Sequence, residues 1–138
     1  MPFTTYLINK IEDLIFGAQS YSVPATLYVG LCTGCTSGGT VTGEPAIGSY
    51  GYTRVAVTNN DLTTTWSAAA AGAKTNGHST VQWGTVTTTP WGTLTTVIIS
   101  DAASGGNILA YGALGGSITA LVGMAPYIMI NQLIISMT

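Results

Sequence analysis

The sequence predicts a mainly β protein: an antiparallel β-sandwich or barrel of about seven or eight short strands, with one N-terminal α-helix. Three observations predict it. Apolar and polar residues alternate in short runs through most of the chain. Clusters of Gly, Asn, Asp or Pro separate those runs at ~8–12-residue spacing. Only the first segment carries helical spacing.

That first segment runs from Thr5 to Phe16. Leu7, Ile8, Ile11, Leu14 and Ile15 fall at i, i+1, i+4, i+7 and i+8, which makes one stripe on a helix. Thr4 or Thr5 can cap its start, and Gly17 can supply a left-handed residue after its end. Lys10, Glu12 and Asp13 lie off the stripe. A helix of about three turns does not persist alone in water, so this one must dock on something.

After Pro24 the period changes to two. Leu27, Val29 and Leu31 alternate with Thr26, Tyr28 and Gly30, and a second alternation covers Tyr52 to Val57. Ser79 to Trp83 is a short run around Val81. Leu94 to Ser100 holds Val97-Ile98-Ile99, consecutive β-branched residues that suit a strand covered on both faces. Asn107–Ala113, Ser117–Val122, Tyr127–Ile130 and Leu133–Met137 complete the set, with punctuation at Asn59-Asn60-Asp61, Asn76-Gly77, Asp101 to Gly106, Gly115-Gly116 and Asn131-Gln132. The predicted core contains Leu27, Val29, Leu31, Val55, Val57, Val81, Val97, Ile99, Leu109 and Leu133.

Two segments fit neither period. Thr33 to Ser49 reads as a long mobile loop, and Thr63 to Lys74, with its four alanines, as a loop with one turn of helix. Residues 1–138 form one domain, with residues 1–20 as its helical segment. No fixed repeat or linker divides the chain.

Composition narrows the function. Three basic and five acidic residues make up 6% of the chain, against the ~25% of an ordinary domain. More than twenty threonines, with Ser, Asn and Gly, fill the polar positions instead. Hydroxyls and amides cost less to desolvate than ions, so such a surface suits burial against neighbouring subunits. Three cations cannot displace the counterions of a nucleic acid, which excludes that partner. The longest apolar stretch, Ile118 to Ile130, is broken by Pro126 and falls short of the ~20 residues of a membrane span.

Catalytic and metal chemistry have no constellation to rest on. His78 is the single histidine and lies in a polar turn, where a surface role is commonest. Glu12 and Asp13 are neighbours on a helix, so their side chains diverge. Glu44, Asp61 and Asp101 occupy turn contexts. Cys32 and Cys35 read as half a zinc site, a redox pair, a local disulfide or plain turn cysteines. The chain is therefore expected to be no enzyme and to hold no metal or cofactor. Arg54, the only arginine, is a candidate for a structural ion pair. Trp66, Trp83 and Trp91, with Tyr50, Tyr52 and Tyr111, are candidates for a sugar-binding surface or for core or interface aromatics.

Several motifs occur in order: Leu-Tyr-Val-Gly-Leu at 27–31, Tyr-Gly-Tyr-Thr-Arg-Val-Ala-Val-Thr-Asn-Asn at 50–60, and Trp-Ser-Ala-Ala at 66–69. Lys-Thr-Asn-Gly at 74–77, Trp-Gly-Thr at 91–93 and Asp-Ala-Ala-Ser-Gly-Gly-Asn at 101–107 follow. In these the chain resembles, over nearly its whole length, a family of small bacteriophage virion proteins usually described as phage tail fibre proteins. The resemblance implies a structural protein of the virion, assembled in the host bacterial cytoplasm. A compact chain without a repeated shaft suits a capsid decoration (cement) protein on the capsid lattice. The alternatives are a small tail, tail-fibre or adaptor protein and, third, a carbohydrate-binding module.

The expected partners are other copies of the chain, as a trimer, together with the major capsid protein or tail proteins. The C-terminal run is apolar on both faces and uncharged, so it needs cover beyond the helix. Tyr127, Met129, Ile130, Leu133, Ile134 and Ile135 are the candidate subunit interface.

Overall fold

A computed structural model describes residues 1–59 and 62–136; Asn60, Asp61 and Met137 of the elements above lie outside the described residues. Helix α1 spans Thr5–Phe16. The strands are β1 (Thr26–Cys32), β2 (Gly34–Cys35), β3 (Val41–Thr42), β4 (Val55–Thr58) and β5 (Ala73–Thr75), then β6 (Val81–Gln82), β7 (Gly92–Ser100), β8 (Ile108–Ala120), β9 (Tyr127–Ile128) and β10 (Ile134–Ser136). All pairings are antiparallel, and the fold is mainly β as its alternation predicts.

The main sheet runs in the order β4-β1-β7-β8. Val29 faces Ile99 and Leu31 faces Val97 across the central pair, and Leu27 faces Val57. These side chains form one wall of the core. The short ladders β5/β10 and β6/β9 supply the other, with Val81, Trp83, Ile128 and Leu133. Nine of the ten predicted core residues are buried, and Val55 is half-buried against them. Val97, Ile98 and Ile99 are all buried, because a second cluster of Cys32, Ile98 and Ile108 covers the outer face of the sheet.

Several elements differ from the sequence reading. The long Thr33–Ser49 loop contains a hairpin, with Gly34 opposite Thr42 and Cys35 opposite Val41. The Thr63–Lys74 segment has no helix and leads into β5. Gly115-Gly116 does not end a strand. Ala113 faces Thr96 and Ile118 faces Leu94, so Leu114 to Ser117 stand opposite Thr95 alone, as a bulge in one long strand.

Helix α1 begins as predicted. The buried Thr4 hydroxyl donates to the Ile108 carbonyl and accepts the Leu7 N–H, while the Thr4 N–H donates to Leu109 O at 2.9 Å. Phe3 bridges Ala110, so the first residues cover part of the β8 edge. The stripe docks only at its start, where Tyr6 and Leu7 pack on the core. A cleft of about 410 Å³ separates Ile8 and Ile11 from Tyr111. Leu14, Ile15 and Phe16 are exposed, Phe16 by 86%. Gly17 stays right-handed at φ −106°, and Ala18 takes the left-handed conformation at φ 51°.

Candidate functional site: an apolar groove and a buried ion pair

The C-terminal segment is held by Asn76, which is fully buried. Its amide donates to Met129 O and Ser79 O, both at 2.9 Å, and its Oδ1 accepts the Leu133 N–H at 3.0 Å. Asn131 adopts φ 64°, a conformation that asparagine tolerates better than most residues, and the Gln132 N–H donates to Met129 O to close a tight turn. On either side, Gln82 pairs with Tyr127 and Thr75 with Ile134.

This clamp decides which apolar side chains face out. Ile128 and Leu133 point into the core, while Tyr127, Met129, Ile130 and Ile134 are each 45–56% exposed. Leu133 therefore does not belong to the candidate interface: it is 2% exposed and fills the core under Asn76. Ile135 is half-buried against the same core, because its neighbours in the ladder take the outer positions. Three of the exposed residues, Tyr127, Met129 and Ile134, border a groove of about 760 Å³. Its other wall is Met1, Pro2 and the bulged part of β8, where Gly115 and Gly116 leave space. The lining carries no charged side chain.

Arg54 lies on the opposite edge of the sheet, before β4. Its Nε and Nη2 donate to Glu44 Oε1 and Oε2, both at 2.8 Å. Nη1 donates to the carbonyls of Ala102 at 3.0 Å and Gly105 at 2.9 Å. The guanidinium thus ties the Glu44 loop to the turn between β7 and β8. The Tyr52 oxygen accepts the Leu31 N–H at 2.9 Å and lies 2.9 Å from Glu44 Oε1, to which its proton is donated. Gly30 makes room: a Cβ there would meet Glu44 Oε1 at 2.9 Å and the Ile98 side chain at 3.0 Å. The hydrogen bond to Glu44 raises the Arg54 pKa further, and burial, with the Glu44 charge second, pushes the Tyr52 phenol up. The motifs around Tyr52–Arg54 and Asp101–Asn107 meet at this node. Sequence reasoning singled out Arg54 and left its partner among the acids open; Glu44 sat inside the supposed loop.

The aromatic sugar surface is not formed. Trp66, Trp83 and Tyr52 are buried, and Trp91 packs edge-on against Tyr52 with centroids 5.1 Å apart. Of that set only Tyr50 is exposed. His78 is exposed in its turn. Among the described residues, no three His, Cys, Asp or Glu side chains gather as a metal site, and no helix is long and apolar enough to cross a membrane.

Residues 2–136 match a family model described as Podophage GP4 fiber I protein gp80. The chain belongs to this family. The match takes in α1, every strand, the Arg54 node and all of the groove's lining but Met1, and the family, of phage fibre type, makes the chain a virion structural protein. No curated protein matches the chain.

Proposed function

We propose that this fibre-family protein is a non-enzymatic structural subunit that assembles with its own copies, as a trimer, and with neighbouring virion proteins. The observation that carries the reading is the exposed apolar surface. Tyr127, Met129, Ile130 and Ile134 face solvent, three of them along a groove lined by no charged side chain, on a chain with 6% charged residues. Exposed apolar area of this kind is a marker of protein contact. The family description supports a place in the fibre apparatus. Capsid decoration is the second reading, favoured by the small size of the fold and by the lack of a repeated shaft among the described residues.

A reconstruction of the virion tests the placement. Density for this fold at the fibre supports the first reading, density on the capsid lattice the second, and absence from the particle overturns both. Light scattering tests the self-association, and a monomer at high concentration counts against it. Incubation with host surface polysaccharide tests the non-enzymatic part, since a shortened glycan would contradict it.

A further inference from the structure

Cys32 and Cys35 occupy one apolar cluster. Cys32 ends β1 and is fully buried with Ile98 and Ile108 on the outer face of the main sheet. The chain bends at Thr33, and the β2–β3 hairpin folds over that face, bringing Cys35, Val41 and Tyr111 against the cluster. Both thiols are free, and each donates only a long hydrogen bond, Cys32 Sγ to Gly34 O at 3.4 Å and Cys35 Sγ to Thr36 O at 3.5 Å. Cys32 Sγ reaches the carbonyl of Gly34, the residue before Cys35, so the two cysteines adjoin the same apolar cluster across the bend at Thr33.

We propose that this dithiol is an oxidation site that takes small-molecule disulfides and closes to a Cys32–Cys35 bond, which fastens the β2–β3 hairpin to the sheet. Cys35 reacts first, because it is half-buried while Cys32 is sealed. The Cys35 thiolate attacks one sulfur of the reagent, forming a mixed disulfide and expelling the first reagent thiolate. Cys32 then loses its proton to solvent, attacks the Cys35 sulfur and expels the second. Two electrons pass to the reagent, which leaves as two thiols once both thiolates are protonated. Burial pushes the Cys32 thiol up to about 11, which makes the second step slow at neutral pH and faster in alkali.

The test is treatment of the folded protein with excess oxidised glutathione, read by intact mass and thiol titration. The expected product has lost two hydrogen atoms, retains no glutathione and stays monomolecular. Cys32→Ser should stop at the Cys35–glutathione adduct, and Cys35→Ser should stay unmodified while folded. In the oxidised wild type, hydrogen exchange at the Gly34 and Thr42 amides should slow on the order of tenfold. A persistent wild-type adduct, a cross-linked dimer, or two thiols that react only after denaturation would overturn the proposal. Should either variant fail to fold, the wild-type mass alone decides.

Discussion

Arg54 and Glu44 form a two-point ion pair, with both contacts at 2.8 Å and the side chains only 4% and 14% exposed. Two of the chain's few charges are thus spent on joining a loop to a hairpin turn. The arrangement satisfies every acceptor that burial strips of water, since Glu44 also receives Tyr52 and the Ala102 and Gly105 carbonyls receive Arg54.

Removing one partner should therefore cost much more than a surface pair would. Arg54→Met is expected to destabilise by ~3–5 kcal/mol, because it strands the Glu44 carboxylate and two carbonyls. Urea unfolding followed by circular dichroism checks this, and a loss below ~1 kcal/mol would show that water replaces the guanidinium.

Gly30→Ala should also weaken the fold, by ~1–3 kcal/mol, because its Cβ would press on Glu44 and Ile98. The double variant Gly30→Ala/Ile98→Val should recover part of that loss. No recovery would place the strain on the Glu44 side alone.

Alkali should lower the stability of the fold over two overlapping pH ranges. Cys32 has an ordinary value of 9.0 and is pushed up to about 11 by burial, so the unfolded chain releases its proton first. Its contribution is fully present below pH 9 and falls as pH rises toward 11, by about 2–3 kcal/mol in all. Tyr52, raised from 10.0, steepens the fall above pH 10. Urea midpoints across this range should flatten early in Cys32→Ala and late in Tyr52→Phe.

Substitutions along the C-terminal segment should split by orientation. Met129→Asp is expected to fold with stability changed by less than about 1 kcal/mol and to lose self-association. Leu133→Ala, in the core, should lose ~2–5 kcal/mol. Thermal melts with analytical ultracentrifugation separate the two. Unfolding by Met129→Asp would make that segment part of the core instead of a contact surface.

Much of this fold was legible in the sequence. Period-two runs placed the main strands, and a 3.6-residue stripe placed α1, because alternation and helical spacing are local consequences of backbone geometry. The single arginine was a candidate for an ion pair, which it forms with Glu44. Tertiary structure decided the rest. Whether Ile134 or Leu133 faces out depends on how β10 pairs with β5 and on the Asn76 clamp, neither of which has a local signal. The stripe of α1 could not reveal that its last turns find no cover, since that depends on where β8 lies. The partner of Arg54 was undetermined for the same reason. Ten residues of separation and a hairpin turn from another part of the chain meet only when the sheet closes.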